Sequence, residues 1–133
     1  MDRALRALVR RRAADRCEYC GLPQDLVPFV SFHVEHVIAR QHGGSDGPDN
    51  LALACFHCNL HKGPNLSGLD VASGEIVALF HPRRDVWHVH FALHGAAMVG
   101  LTLTGKVTVH VLAMNAPSRL ELREELGIRG IGE

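Results

Sequence analysis

Residues 33–63 read HVEHVIARQHGGSDGPDNLALACFHCNLHKG and hold most of the chemically informative side chains of this 133-residue chain. The stretch contains one Cys-x-x-Cys pair, Cys55 and Cys58, and a matching pair, Cys17 and Cys20, precedes it. Two such pairs can converge on one zinc ion and supply four sulfur ligands. A zinc ion bound in this way has no open position for water, so the sequence predicts a structural zinc. The alternatives are a redox dithiol and cysteines without a shared role.

The segment between the cysteine pairs predicts a strand, a loop, a second strand and a helix. Residues 29–38 are rich in Val, Phe and Ile, as strands are. Residues 41–50 are rich in glycine and polar residues and predict a loop. Residues 51–54 form a short apolar run that predicts the returning strand, and residues 56–62 predict a helix that begins at the second cysteine pair.

The rest of the chain predicts a mixed α+β protein. Apolar residues at helical spacing predict an N-terminal helix before the first cysteine pair. Four apolar runs separated by turn residues, at 75–80, 87–93, 98–103 and 107–113, predict a C-terminal antiparallel β meander, followed by a short helix from Ser118. We therefore expect a zinc-bearing module at residues 1–66 and a β-rich extension at residues 67–133.

Charge and hydropathy restrict the class of protein. The net charge is zero, which argues against a strong general nucleic-acid binder. Arginines are nevertheless concentrated near the start, where Arg10 and Arg11 are candidate contacts to a phosphate backbone; a solvated helix face explains them equally well. No signal peptide and no apolar run long enough to cross a bilayer is recognisable, so we expect a cytoplasmic protein without a membrane partner.

Glu35 and His36 are not needed to bind the structural zinc, and their side chains are suited to binding a second metal ion and to proton transfer. A carboxylate suits Mg²⁺ or Mn²⁺, which prefer oxygen ligands, and an imidazole suits proton abstraction. In a regular strand, however, neighbouring side chains face opposite sides, so both can serve one site only where the strand twists, bulges or ends. His33 lies on the same strand face as Glu35 and is a candidate further metal ligand or hydrogen-bond partner.

A series of spaced residues resembles the HNH endonuclease motif in its four-cysteine, zinc-bearing form. The series is Cys17-x-x-Cys20, Glu35-His36, Gly43-Gly44, Asn50-Leu51, Cys55-x-x-Cys58-Asn59 and Lys62-Gly63. The resemblance implies a ββα-metal, treble-clef-like core and hydrolysis of phosphodiester bonds in DNA with Mg²⁺ or Mn²⁺. The C-terminal half also resembles an extension found after this motif in many small bacterial HNH proteins.

The resemblance also implies roles for single residues. His36 matches the general base that takes a proton from the attacking water. Glu35 matches the acidic metal ligand, which is usually Asp, and Asn59 matches the position that completes the catalytic metal site. Asn50 matches the middle position, which holds the loop between the strands and helps to orient the base.

The remaining candidates have two interpretations each. Lys62 is a candidate contact to phosphate, and His61 is a candidate metal ligand or proton donor. A solvated surface position without a functional role explains either residue equally well. His88, His90 and His110 would form a second metal site if they met across the expected sheet, but exposed sheet faces commonly carry such polar residues without a ligand.

Two other functions compete with a nuclease. One is a zinc-stabilised nucleic-acid-binding module that has lost catalysis, and the other is an interaction domain that uses its C-terminal sheet. DNA is the expected partner of the nuclease and of the nucleic-acid-binding module. The oligomeric state stays open, although a homodimer is the simplest arrangement for cutting both strands.

Overall fold

The computed structural model describes residues 1–130. The chain forms two compact units. The first contains residues 1–65 and 81–84, and the second contains residues 66–80 and the chain from residue 85 onward.

The first unit is built around a strand, a loop, a strand and a helix, as the sequence predicts. Its elements are α1 (Arg3–Arg12), β1 (His33–His36), β2 (Leu51–Ala54) and α2 (Phe56–Lys62), with short 3₁₀ turns at Gln24–Leu26, Arg40–His42 and Pro48–Asn50. Strands β1 and β2 are antiparallel, with Glu35 opposite Ala52 and His36 opposite Leu51. All four residues of β2 are buried, so this strand forms the centre of the unit.

Strand β1 is shorter than the predicted 29–38. At its beginning, the side chain of Gln24 accepts a hydrogen bond from the backbone N–H of Phe32 and donates to the backbone oxygen of Val30, which holds these residues in a loop. At its end, the backbone N–H of Ile38 donates to the side chain of Asn50 instead of to a neighbouring strand. Side-chain hydrogen bonds therefore replace the backbone hydrogen bonds of the sheet at both ends of β1.

Helix α1 begins at an N-cap, because the side chain of Asp2 accepts a hydrogen bond from Leu5 N–H. The helix packs on both strands and buries Val9. Arg12 donates to the backbone oxygen of Leu51 at 2.7 Å, and Arg10 donates to that of Phe32 at 2.9 Å. Two of the N-terminal arginines thus attach the helix to the segment that carries β1 and to β2.

The second unit contains two hairpins and three helices among its described residues. Its elements are β3 (Ser67–Leu69), β4 (Ile76–Ala78), α3 (Trp87–His90), β5 (Phe91–His94), β6 (Ala97–Gly100), α4 (Leu103–Val111) and α5 (Pro117–Glu125). Among residues 1–130, strand β3 pairs with β4 and strand β5 pairs with β6, each in an antiparallel two-stranded sheet. The predicted α+β class and the short terminal helix are confirmed.

The continuous C-terminal meander predicted from the sequence is wrong. Residues 103–111, part of which alternates like a strand, form helix α4 because Thr102 caps it by accepting a hydrogen bond from Gly105 N–H. The helix also fits closely, since a Cβ atom added at Gly105 would lie 2.1 Å from the backbone oxygen of His90. Capping and tertiary packing outweigh the strand preference of its β-branched residues.

None of the helices among residues 1–130 combines the length and the apolar composition that spanning a bilayer requires.

Candidate functional site

Four cysteines come together in the first unit. Cys17 and Cys20 lie in the turn after α1, while Cys55 is the N-cap of α2 and Cys58 lies in its first turn. All four are buried, none forms a disulfide, and their sulfur atoms lie within 4.8 Å of one another. The Sγ atoms of Cys20 and Cys55 are 3.8 Å apart. A tetrahedron with zinc–sulfur distances of about 2.3 Å has edges of about 3.8 Å, so this arrangement fits a structural metal such as zinc.

Backbone groups support the sulfur atoms in both pairs. The N–H of Cys20 points to Cys17 Sγ at 3.5 Å, and the N–H of Cys58 points to Cys55 Sγ at 3.4 Å. Burial raises the pKa of Cys17, while hydrogen bonds from the other three cysteines lower the pKa of Cys20. Zinc binds the deprotonated form of all four and would remove this uneven sharing of protons.

Glu18, between the first two cysteines, fastens their turn to β2. Its N–H donates to the backbone oxygen of Leu53 at 2.8 Å, and its carboxylate accepts from the N–H of Leu53, also at 2.8 Å. The other carboxylate oxygen pairs with the guanidinium of Arg83. Burial lowers the pKa of Arg83 to about 10, with the positive charge of Arg12 as a second cause.

An open cleft of about 620 Å³ lies between the edge of β1, the turn at Arg40–His42 and helix α2. His33, Glu35, His36 and Asn59 all line this cleft. The structure therefore brings together the predicted general base and both predicted ligands of the catalytic ion. The side chain of His36 is 19% exposed, so its imidazole is accessible from solvent.

The imidazole of His36 has a carboxylate partner that the sequence analysis missed. Its Nε2 atom lies 2.7 Å from Oδ1 of Asp46, and the same oxygen accepts a hydrogen bond from Nε of Arg40 at 3.0 Å. Hydrogen bonds from His36 and Arg40 lower the pKa of the exposed Asp46 carboxyl. The one sequence signal for Asp46 is its position in the glycine-rich loop that follows the motif histidine.

Asn50 fastens the loop that carries Asp46. Its Oδ1 accepts from Ile38 N–H at 2.9 Å, and its Nδ2 donates to the backbone oxygens of Ile38 and Ser45 at 3.0 and 2.8 Å. The loop passes so close to β1 that a Cβ atom at Gly44 would lie 1.7 Å from Ile38 O. Gly43 adopts a φ of +88°, which favours glycine. The two glycines thus permit the approach that Asn50 secures.

Glu35 and Lys62 form a buried pair behind the cleft. Lys62 is 1% exposed, its Nζ donates to the backbone oxygen of Val37 at 2.7 Å, and it lies 3.7 Å from Oε2 of Glu35. The hydroxyl of Tyr19 donates to Oε1 of Glu35. Burial raises the pKa of Glu35, and the charge of Lys62 opposes that shift. The predicted contact between Lys62 and phosphate is wrong, because this ammonium group faces the interior.

The other predicted residues lie in different surroundings. His33 is exposed, with its ring centre 6.2 Å from that of Phe56. His61 is exposed on α2, and its Nδ1 lies 2.9 Å from the backbone oxygen of His57. Arg10 is half-buried by its bond to Phe32, whereas Arg11 is exposed.

A second metal site at His88, His90 and His110, one of the two interpretations of these histidines, is not supported within the described part of the chain. His88 and His90 lie on helix α3, and His110 lies on α4, so no common sheet face carries them. The Nδ1 atom of His90 lies 2.6 Å from the hydroxyl of Thr102. Within residues 1–130, the four cysteines are the one group of three or more His, Cys, Asp or Glu whose ligand atoms come together.

Comparison with protein families matches residues 17–65 to the HNH endonuclease family model. Neither the curated proteins nor the solved structures give a significant match to this chain. The matched segment includes both cysteine pairs, β1, the glycine-rich loop, β2 and α2. Residues 17–65 are therefore similar to the HNH endonuclease family, and the four clustered cysteines in this segment are placed to bind a metal such as zinc.

Proposed function

We propose that this protein is a metal-dependent endonuclease that hydrolyses phosphodiester bonds in DNA with His36 as general base. An HNH segment by itself indicates a nuclease-type or nucleic-acid-binding function. The observation that supports the finer assignment is the common cleft lined by His36, Glu35 and Asn59. Hydrolysis of a phosphodiester uses a base and oxygen ligands for an ion; His36 and Asn59 lie at the cleft, and the carboxylate of Glu35, 6% exposed, lies directly behind it.

His36 is suited to take a proton from water. Its Nε2 is occupied by the carboxylate of Asp46, and its ring is held at the cleft by that contact. The second ring nitrogen is then the one that accepts a proton from an attacking water. Arg40, which also lines the cleft and is exposed, supplies positive charge beside the proposed position of the substrate phosphate.

Asn59 and Glu35 fit a hard divalent ion. Both carry oxygen atoms, which Mg²⁺ and Mn²⁺ prefer, and both line the cleft. The carboxylate of Glu35 is 6% exposed and contacts Lys62 and Tyr19, so we propose that it turns from this pair toward the cleft when an ion binds. An ion bound there would stabilise the negative charge that grows on the phosphate during hydrolysis.

A plasmid assay tests the proposal. Zinc-loaded protein is incubated with supercoiled DNA and Mg²⁺ or Mn²⁺, and His36→Ala is compared with the wild type. We expect the variant to lose activity by about 10²- to 10⁴-fold, the usual contribution of a general base. The matched control is His110→Ala, an exposed histidine on α4, which should cut at the wild-type rate.

The assay also separates the proposed enzyme from its main competitor. Binding of DNA by the wild type without cleavage under either metal would favour a zinc-stabilised nucleic-acid-binding module. Cleavage that His36→Ala retains in full would exclude His36 as the base. Accumulation of nicked circles or of linear DNA tells whether one or both strands are cut, and sedimentation in the presence of DNA tells whether the protein acts as a monomer or as a homodimer.

A further inference from the structure

We infer that Asp46 is a positioning residue that fixes the protonated nitrogen of His36 and leaves the other nitrogen available as the base. The inference rests on the proposed function and adds to it a residue outside the motif positions. Asp46 does not act on the substrate in this account. It acts through the imidazole that it orients.

The hydrogen-bond geometry determines the tautomer. An ionised carboxylate can only accept hydrogen bonds, so Nε2 of His36, 2.7 Å from Oδ1 of Asp46, must carry the proton. In a neutral imidazole the other nitrogen, Nδ1, is then unprotonated and can accept a proton from water. A carboxylate that orients an imidazole in this way is a recurring arrangement among hydrolases.

Asp46 is itself held in place. Arg40 donates to the same Oδ1 through Nε at 3.0 Å and approaches it through Nη2 at 2.9 Å. These contacts and the bond from His36 keep the carboxyl ionised, which agrees with its lowered pKa. Two nitrogens of the planar guanidinium therefore converge on the one carboxylate oxygen that also contacts His36.

The backbone on both sides of Asp46 is fastened too. Asn50 donates to the backbone oxygen of Ser45, the preceding residue, at 2.8 Å. The N–H of Gly47, the following residue, donates to the hydroxyl of Ser45 at 3.2 Å. Asn50 therefore acts on His36 at a distance, because it holds the loop from which Asp46 reaches the imidazole.

Exposure separates this role from a structural one. The side chain of Asp46 is 65% exposed and that of Arg40 is 66% exposed. Exposed ion pairs contribute little to folding, so removing Asp46 should leave the fold intact. A loss of activity in a folded Asp46 variant would then arise from the imidazole and not from unfolding.

The decisive experiment measures the tautomer without DNA. Nitrogen-15 NMR of the zinc-loaded wild type at pH 8 should show His36 with a protonated Nε2 and an unprotonated Nδ1, with the resonance assigned by its absence in His36→Gln. In Asp46→Ala we expect a mixture of both tautomers. The matched control is Asp49→Ala, an exposed aspartate of the same loop, which should keep the wild-type pattern.

Kinetics on plasmid DNA provide the second readout. Asp46→Ala should lower the turnover number by about 10- to 100-fold, part of the 10²–10⁴ that a positioned base supplies, and leave KM within about twofold. An unchanged turnover together with an unchanged tautomer in Asp46→Ala would overturn the inference, as would a wild-type His36 protonated at Nδ1. If the wild type does not cut DNA at all, the proposed function fails, and the NMR result alone decides whether Asp46 orients His36.

Discussion

The burial of Lys62 leads to a prediction that chemical labelling can test directly. The chain has two lysines, Lys62 and Lys106. Lys62 is 1% exposed, and its ammonium group is bound to Val37 O, whereas Lys106 is exposed on α4. An amine-acetylating reagent applied to the folded, zinc-loaded protein should modify Lys106 and spare Lys62. Peptide mass mapping measures both sites in one sample, and denaturation before labelling should make them equally reactive.

The energetic cost of removing the ammonium group follows from its surroundings. Lys62→Met keeps most of the side-chain volume but leaves the carboxylate of Glu35, 6% exposed, with the Tyr19 hydroxyl as its remaining polar side-chain contact. Breaking one side of a buried ion pair costs about 3–5 kcal/mol. A small domain is stable by about 5–15 kcal/mol in total, so urea unfolding should detect the loss easily. Lys106→Met, the exposed control, should change stability by no more than about 0.5 kcal/mol.

A double variant identifies the unpaired charge as the cause. Glu35→Gln in the Lys62→Met background removes the buried carboxylate charge and keeps an oxygen acceptor for Tyr19. The double variant should therefore be more stable than Lys62→Met alone, with a coupling of about 0.5–3 kcal/mol between the two positions. The reasoning is refuted if Lys62 is acetylated as fast as Lys106 in the folded protein, or if Lys62→Met costs less than about 1 kcal/mol.

Two further predictions concern the metal and the loop. Each folded chain should bind one zinc ion. Removing the zinc with a chelator should unfold residues 17–65, because structural zinc binding contributes an apparent free energy of about 10–16 kcal/mol to folding. Native amide signals from this segment after complete removal of zinc would contradict the prediction. Gly44→Ala should destabilise the protein by about 1–3 kcal/mol and displace the loop, because the added Cβ would lie 1.7 Å from Ile38 O. Gly47→Ala should be tolerated, because its Cβ would contact the side chains of Asp49 and Ser45. Equal melting temperatures for the two variants would count against the close approach of the loop at Gly44.

The parts of the fold that follow from local chemistry could be predicted. Two Cys-x-x-Cys pairs need only short turns to aim their sulfur atoms at one ion, so their spacing already indicates the cluster. The loop between the strands is also local, because its glycines and its proline punctuate the chain. These signals lie within a few residues of the features they specify, and the order of strand, loop, strand and helix is confirmed.

The C-terminal half could not be predicted in the same way. Residues 107–113 alternate polar and apolar side chains in part, which favours a strand, yet most of them belong to α4. What decides between the two is a cap at Thr102 and close packing at Gly105, where His90 O leaves no room for a Cβ atom. Contacts between residues distant in sequence therefore outweigh the local pattern, and no periodicity contains them.

The hydrogen-bond partners of His36 and Glu35 could not be predicted either, because they also depend on contacts between residues distant in sequence. Asp46 contacts His36 from ten positions further along the chain, and Tyr19 contacts Glu35 from sixteen positions earlier. Each of these residues is an ordinary one in its own local context. Their significance arises only once the glycine-rich loop folds back on β1 and the first cysteine pair packs against β2.

The pleat of β1 directs the side chains of Glu35 and His36 to opposite faces, although both residues line one cleft. Glu35 turns inward to Tyr19 and Lys62, while His36 turns outward to Asp46, as alternation along a strand requires. The ammonium group of Lys62 extends from α2 to the backbone oxygen of Val37, directly after β1, and to the carboxylate of Glu35 in β1. Strand β1 carries His36, and helix α2 carries Asn59. Lys62 therefore connects the helix that carries the proposed metal ligand to the segment that carries the proposed base.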